Sequence, residues 1–264
     1  MSPMLEVIDK GRCTEKHPDP LLFVHGAWHA AWCWGEHFLD FFAARGYRAV
    51  AMSLRGHGGS PGRNRLRWTR IRDYVDDVAE VAAQLPTEPV LVAHSMGGFT
   101  AQHYLQRHRA PAAILVTPIQ PAGVLRLTTS IARRHPRDFA RCNTELRLEP
   151  LVRTPTLARD LFFSATMPAA QVDSYQQRLQ DESYRAFLDM LALDLVRTKR
   201  VNRVPMLVLG AELDTIVTER EIYRTATIYG AEAKVFPGMA HDLMLEAGWQ
   251  AVAETIDDWL SGNG

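Results

Sequence analysis

A hydrophobic run that ends in a serine between small residues is the feature that most constrains the fold of this chain. The run Pro89–Val92 leads directly into Ala93-His94-Ser95-Met96-Gly97-Gly98. A strand that turns sharply into a helix exposes the residue at its apex, and the tight backbone there needs small neighbours. The usual form of this turn is G-x-S-x-G, and Ala93 takes the place of the first glycine. The pattern predicts an exposed Ser95 hydroxyl that can act as a nucleophile when a base lies beside it.

Strand-length apolar runs recur along the chain and alternate with segments of helical periodicity. Runs without polar alternation are typical of parallel strands that helices cover on both faces. The predicted strands are Leu21–Val24, Tyr47–Leu54, Val90–Ala93, Ala112–Val116, Met206–Leu209 and Ala233–Phe236. The predicted helices of this part are Phe38–Arg45, Asp73–Leu85, Phe99–Arg107 and Trp249–Leu260. The sequence therefore predicts an α/β fold with a doubly wound, mostly parallel sheet.

The alternation of strands and helices fails between residues 119 and 200. Helical candidates in this stretch are Thr156–Thr166, Ala169–Gln180 and Ser183–Val196. The last of them carries an apolar stripe made of Tyr184, Phe187, Leu188, Leu191 and Leu195. An insertion between strands of such a sheet is expected to lie over their carboxyl ends, where ligands bind in these folds. We therefore predict an α/β core of residues 1–118 and 201–264 and a helical cap of residues 119–200.

A serine nucleophile needs a base, and the base needs a carboxylate that orients it. Among the ten histidines, His241 is the best candidate, because a short turn places it just after the last predicted strand. Asp214 follows the strand before that one and is the predicted acid. Two rival acids are Glu212, which lies closer to its strand, and Asp242, which would have to reach back to its own neighbour. The resulting order along the chain is Ser95, Asp214 and His241.

Two backbone N–H groups are expected to bind the oxyanion that forms when a serine attacks a carbonyl. One belongs to Met96, at the start of the helix after the nucleophile, where the helix dipole adds to the effect. The other is predicted at Ala27, in the loop after the first predicted strand, with Gly26 allowing a tight turn. His25 in this loop is expected to be a structural hydrogen-bonding residue, and His57 is expected to shape the pocket wall.

These pieces occur in the order and spacing of one known family, and the chain resembles the α/β-hydrolases. The matching pieces are His25-Gly26, Arg55-Gly56-His57-Gly58, Ala93–Gly98, Gly210–Asp214 and Gly238–His241. The resemblance is closest to small capped esterases and to lysophospholipases or monoacylglycerol lipases. The loop after the first predicted strand is also similar to that of plant methylesterases and hydroxynitrile lyases. The resemblance implies a catalytic triad of Ser95, Asp214 and His241, with oxyanion amides at Ala27 and Met96.

The resemblance implies hydrolysis of a carboxylic ester of a small or lipid-like substrate through an acyl-enzyme on Ser95. A serine at the elbow, rather than an aspartate, argues against haloalkane dehalogenase and epoxide hydrolase chemistry. A thioesterase or a carbon–carbon bond hydrolase would use the same triad, and a non-catalytic binding protein on this scaffold is a further alternative. Trp28 and Met239 are candidate substrate-binding residues. The interpretation requires neither a cofactor nor a metal.

The composition of the chain narrows the classes of partner that it is expected to bind. Its 30 Lys and Arg balance its 30 Asp and Glu, which makes nucleic acid a poor candidate partner. No apolar run approaches about 18 residues and the start shows no leader pattern, so we expect no stable membrane insertion and a cytoplasmic location. Five arginines in residues 62–72 contact an anionic substrate group or a membrane surface, or they form a solvated face. The cysteines are expected to be free thiols. The sequence leaves open whether the chain forms a homodimer.

Overall fold

One sheet organises the described part of the chain, residues 4–262 of a computed structural model. Its strands are β1 Val7–Gly11, β2 Leu21–Val24, β3 Arg48–Met52, β4 Val90–His94, β5 Ala113–Val116, β6 Met206–Ala211 and β7 Glu232–Phe236. Their order across the sheet is β1-β3-β2-β4-β5-β6-β7. β1 runs antiparallel to β3, and all other neighbouring strands are parallel. The predicted α/β class and mostly parallel sheet are confirmed.

Helices connect the strands and pack on the sheet and on one another. The α-helices of the described residues are α1 Trp32–Gly35, α2 Phe38–Ala44, α3 Ile71–Ala82, α4 Met96–Tyr104, α5 Leu125–Arg134, α6 Pro136–Glu145, α7 Pro155–Phe162, α8 Ala169–Gln176, α9 Tyr184–Leu188, α10 Glu219–Tyr229 and α11 Trp249–Gly262. α2 packs against α11, α3 packs against α4, and α10 packs on β6 and β7. The core therefore alternates strand and helix as the sequence predicts.

Burial explains which strands the sequence reveals. Every residue of β2, β4 and β5 is buried, because helices cover both faces of the sheet there, and these strands are continuous apolar runs. β1 escapes prediction because its residues Val7–Gly11 are exposed or half-buried in alternation at the edge of the sheet. α10 also escapes prediction, since Glu219–Tyr229 carries charged and polar residues and buries only one side.

Five α-helices, α5 to α9, lie between β5 and β6, in the segment that the sequence predicts as a cap. The three anticipated helices end earlier than predicted, at Phe162, Gln176 and Leu188. After Leu188 the chain makes a π-helical turn over Asp189–Leu193, which breaks the predicted stripe and leaves Leu195 37% exposed. α5 and α6 escape prediction because they are rich in charged residues and bury little. A movable cap of residues 119–200 stays a prediction.

Two further expectations concern the chain as a whole. Within residues 4–262, no helix combines the length and the apolar character that crossing a bilayer requires. Cys13, Cys33 and Cys142 are free thiols, as expected. Burial raises the pKa of Cys142 to about 12, so its thiol stays protonated near neutral pH.

Candidate active site

Ser95 occupies a strained turn between β4 and α4. Its φ of +52° lies in the left-handed region that side-chain-bearing residues rarely adopt. Glycines allow the neighbouring backbone to come close: a Cβ on Gly97 would lie 2.4 Å from the His25 carbonyl oxygen. A Cβ on Gly26 would lie 2.9 Å from Ser95 Cβ, so Gly26 serves close packing. In the same loop, Trp28 has left-handed backbone, with a φ of +66°.

Ser95, His241 and Asp214 form one hydrogen-bonded chain. His241 Nε2 lies 2.8 Å from Ser95 Oγ, and His241 Nδ1 lies 2.7 Å from Asp214 Oδ2. The other carboxylate oxygen, Oδ1, accepts the N–H groups of Ile216 and Val217 at 2.7 and 2.9 Å. These two donors orient the carboxylate, and the His–Asp pair is buried. With Nδ1 donating to the carboxylate, Nε2 keeps a lone pair that can take the serine proton.

Both rival acids have other partners. Glu212 Oε2 accepts the N–H of Gly238 at 2.8 Å, on an exposed part of the loop. Asp242 is fully buried, and its Oδ2 lies 2.9 Å from Nε2 of His29. Among the described contacts, neither carboxylate bonds the ring of His241. The structure therefore brings together the three residues that the sequence selects and separates them from the two alternatives.

An apolar cavity opens beside Ser95. The empty space within it, together with its open mouth, is about 680 Å³. Its wall comprises Ala27, Trp28, Ser95, Met96, Ile119, Val124, Leu127, Thr128, Ile131, Phe139, Cys142, Asn143, Leu148, Leu151, Glu182, Tyr184, Phe187, Met190 and Ile216. Trp28 lines the cavity, whereas Met239 is not part of the wall that the described residues form. Substrate binding by Trp28 stays a prediction. Met239 instead directs its methyl group towards Gly248.

The two predicted oxyanion amides lie in the same cavity wall as Ser95. Met96 is the first residue of α4, so its N–H has no acceptor within the helix. The Ala27 N–H donates to no backbone acceptor among the described residues. Both N–H groups are therefore available to a negatively charged oxygen bound next to Ser95.

The other histidines near the site have structural partners. His25 Nε2 accepts the Leu54 N–H at 3.0 Å and its Nδ1 lies 2.8 Å from the Gly26 carbonyl oxygen, which fits the predicted structural role. Burial lowers the pKa of His25 well below its usual value, so the ring is neutral. His57 Nε2 lies 3.0 Å from Glu182 Oε2. Glu182, rather than His57, reaches the cavity wall.

Two buried carboxylates beside the site escape the sequence analysis. Glu182 accepts the Tyr74 hydroxyl at 2.7 Å, and nothing in its polar surroundings in the sequence marks it as buried. Glu246 accepts the Ser164 hydroxyl at 2.8 Å and the Ala240 N–H at 3.4 Å, so it ties the insertion to the residue before His241. An acid directly after the apolar run 243–245 is a signal that could have identified this second carboxylate.

One group of metal-ligand side chains is present near the site. Ligand atoms of His94, His241 and Asp242 lie within 4.8 Å of one another, and all three residues are buried. Both ring nitrogens of His241 are already engaged, by Ser95 and Asp214. In this arrangement His241 has no free lone pair for a metal, and its geometry is that of a base.

The chain matches one family model and is similar to known proteins. The family model described as "Alpha/beta hydrolase family" matches residues 21–255. The chain is 28% identical over 127 residues to methyl jasmonate esterase 1 of Vitis vinifera, which covers 47% of this chain and 48% of that protein. It is 27% identical over 244 residues to a non-heme haloperoxidase of Rhodococcus erythropolis, which covers 85% of this chain and 86% of that protein.

A solved structure shares the fold over nearly the whole chain. The esterase from Exiguobacterium antarcticum superposes with a TM-score of 0.76 at 18% identity, and the match covers 97% of this chain and 94% of that one. At this identity the likeness concerns the fold alone. The match to the methyl jasmonate esterase spans about half of that relative's length.

Proposed function

The chain belongs to the α/β-hydrolase family, and we propose that it hydrolyses a carboxylic ester of a small or lipid-like substrate. The observation that carries the proposal is the hydrogen-bonded chain of Ser95, His241 and Asp214 at the wall of an apolar cavity. A protein that only binds a ligand needs neither a strained serine nor a base aligned with it. This argument disfavours a non-catalytic binding protein.

Acylation uses every part of the site. Ser95 Oγ attacks the ester carbonyl carbon while His241 Nε2 takes the serine proton, and the Asp214 carboxylate stabilises the resulting imidazolium. The carbonyl oxygen becomes an oxyanion, which the N–H groups of Ala27 and Met96 bind. When the tetrahedral intermediate collapses, the imidazolium gives its proton to the leaving alcohol. The alcohol departs, and the acyl group stays on Ser95.

Deacylation repeats these steps with water. His241 takes a proton from a water molecule as the water oxygen attacks the acyl carbon, and the same N–H groups bind the second oxyanion. Collapse of this intermediate returns the proton to Ser95 Oγ and releases the carboxylic acid. One proton is taken and returned in each half-reaction, so the site ends in its starting state.

The cavity favours a substrate with an uncharged, apolar group. Aliphatic and aromatic side chains such as Leu127, Ile131 and Phe187 form most of its wall. The Glu182 carboxylate in the wall is already bonded by Tyr74 and other donors, so it is not left to bind a cation. No lysine or arginine of the described residues lines the cavity. A charged group would therefore lose its hydration there without gaining a partner.

The same observations rank the alternatives. Arg63 and Arg67, from the arginine-rich segment, line a separate surface groove. A thioester with an anionic carrier would have to bind that carrier outside the cavity, so thioester hydrolysis ranks below ester hydrolysis. Cleavage of a carbon–carbon bond would use the same triad, and no observation favours it over ester hydrolysis.

A second candidate function rests on the relative named a non-heme haloperoxidase, which matches 85% of the chain. If hydrogen peroxide attacked the acyl-enzyme in place of water, the products would be a peracid and free Ser95. The peracid could then oxidise bromide. This reaction needs the same nucleophile and differs only in the second acceptor of the acyl group.

A substrate panel tests the proposal. The wild-type protein is expected to release p-nitrophenol from p-nitrophenyl esters in a burst stoichiometric with the enzyme, and Ser95→Ala is the matched control without a burst. Acyl-CoA thioesters and a bromination assay with acetate, peroxide and bromide separate the alternatives. If no ester gave turnover and a fluorophosphonate probe left Ser95 unlabelled, the proposed function would be wrong.

A further inference from the structure

The peptide unit between Ala27 and Trp28 is held at its carbonyl end by a buried imidazole–carboxylate pair. His29 Nδ1 lies 2.8 Å from the Ala27 carbonyl oxygen, and His29 Nε2 lies 2.9 Å from Asp242 Oδ2. Both His29 and Asp242 are fully buried. Because Asp242 directly follows His241, this pair joins the loop of the predicted oxyanion amide to the loop of the base.

A second pair holds the amide end of the same peptide unit. The Trp28 N–H donates to Glu182 Oε2 at 3.3 Å, and the same oxygen lies 3.0 Å from His57 Nε2. His57 and Glu182 are buried as well. The next peptide is also held, since the Gln180 N–H donates to the Trp28 carbonyl oxygen at 3.0 Å. The insertion therefore contacts the loop directly through residues 180 and 182.

Each of the two imidazoles lies between two hydrogen-bond acceptors. His29 lies between the Ala27 carbonyl and Asp242, and His57 lies between the Arg55 carbonyl and Glu182. A neutral imidazole has one N–H and can donate to only one acceptor, whereas the imidazolium donates to both. For His29, the Asp242 carboxylate supplies the counter-charge that lets the ring hold the Ala27 carbonyl. Burial by itself lowers the pKa of His29, but the Asp242 charge beside it raises that pKa above its ordinary value.

The held peptide is strained and adjoins the oxyanion amide. Trp28 has a φ of +66°, a conformation that persists only where the surroundings enforce it. The preceding peptide unit joins Gly26 to Ala27 and carries the Ala27 N–H. Its Gly26 carbonyl oxygen lies 2.8 Å from His25 Nδ1. Two successive peptide units are therefore fixed by buried histidines, while the N–H of Ala27 is left for a ligand.

We propose that the pairs His29–Asp242 and His57–Glu182 are positioning residues that hold the Ala27 N–H in place for the oxyanion. The inference rests on the proposed function, because this amide matters to catalysis only if an oxyanion forms. An oxyanion exists in the transition state and not in the bound ester, so weakening either pair lowers kcat and leaves KM nearly unchanged.

Two isosteric variants test the inference, Asp242→Asn and Glu182→Gln. Each keeps the shape of the side chain and removes its negative charge, so charge-assisted hydrogen bonds to the imidazoles become neutral ones about half as strong. In Glu182→Gln the amide NH₂ also faces a backbone N–H in either orientation, that of Trp28 or that of Ser183, which loosens one of them. Loss of a whole oxyanion donor costs about 10²–10³ in kcat, and a displaced donor is expected to cost about 10- to 100-fold. A trifluoromethyl ketone, which forms an oxyanion adduct on the serine, should lose affinity by a similar factor. KM should stay within about threefold.

The matched control is Asp189→Asn. Asp189 is also fully buried, and its carboxylate forms ion pairs with Arg70 and Arg185. It contacts neither end of the peptide unit between Ala27 and Trp28. Its loss should lower the thermal midpoint without changing kcat or the affinity for the ketone. Should one test variant fail to fold, the other still tests the inference, because each acts on a different end of one peptide. If both variants fold, the loss of kcat in the double variant should be smaller than the product of the two single losses.

The outcomes separate this inference from the proposed function. If Asp242→Asn and Glu182→Gln lower the thermal midpoint like the control but keep wild-type kcat and ketone affinity, the pairs only stabilise the fold and the inference is overturned. If they raise KM and keep kcat, they bind substrate rather than hold the oxyanion amide, which also overturns it. A wild-type protein that forms no acyl-enzyme would overturn the proposed function, and the inference with it.

Discussion

Replacing Asp214 with asparagine is expected to lower kcat by about 10⁴-fold, because the structure dictates how the new amide must lie. Oδ1 of Asp214 accepts two backbone N–H groups, from Ile216 and Val217, so the amide oxygen must take this position. The amide NH₂ then faces His241 Nδ1, which must accept a hydrogen bond instead of donating one. The ring proton moves to Nε2, where it points at Ser95 Oγ and blocks proton abstraction. A loss of this size corresponds to about 5 kcal/mol of transition-state stabilisation.

The assay is the rate of p-nitrophenyl ester hydrolysis under saturating substrate, with thermal unfolding as the check on folding. Glu212→Gln is the matched control, since Glu212 is bonded to the Gly238 N–H on the exposed side of the loop. That variant should keep kcat within about threefold. If Asp214→Asn stayed within about tenfold of wild type, the tautomer argument would be refuted. If Glu212→Gln were the inactive variant, the acid would have to be reassigned.

Four further outcomes follow from the cavity, the buried histidines and the elbow. Phe187→Ala should change relative kcat/KM among esters of different chain length by about 1–3 kcal/mol, since Phe187 lines the cavity. Phe163 is buried outside the cavity wall. Phe163→Ala should therefore lower the free energy of unfolding by about 3–5 kcal/mol, measured by urea unfolding, and the ester series should show no change in chain-length preference. Burial lowers the pKa values of His25 and His94 well below normal, so only the unfolded chain takes these protons below pH about 6.5. The free energy of unfolding should therefore fall by about 2 kcal/mol between pH 6.5 and 5.5, and an unchanged value would contradict the neutral assignment. Gly26→Ala should abolish activity, because its Cβ would lie 2.9 Å from Ser95 Cβ, and a fully active variant would disprove the tight packing of the elbow.

The parts of the molecule that local sequence determines could be predicted. Strands buried on both faces are continuous apolar runs, and their carboxyl ends meet at one edge of a parallel sheet. Ser95 and Asp214 each follow such a strand within a few residues, and His241 follows the edge strand β7, so the topology brings them together. The oxyanion loop could be placed by the same argument, because β2 is hydrogen-bonded to β4 next to the elbow.

The parts that depend on distant contacts could not be predicted. His29 and Asp242 are 213 residues apart in sequence, and neither has a local pattern that marks it as half of a buried pair. The residue type of Trp28 does not indicate its left-handed backbone, and Glu182, which accepts its N–H, is 154 residues away in sequence. β1 and the charged helices α5 and α6 bury too little to show hydrophobic periodicity. Met239 follows a predictable strand, but its side chain points away from the cavity towards Gly248.

Trapping the acyl-enzyme tests whether Ser95 is the nucleophile. The wild-type protein is mixed with a p-nitrophenyl ester, quenched in acid within the burst, and measured by intact and peptide mass spectrometry. We expect a mass increase of one acyl group on the peptide that contains Ser95, and none in Ser95→Ala or His241→Ala. Ester turnover with Ser95 unmodified, or an acyl group that persists in folded Ser95→Ala, would contradict the account.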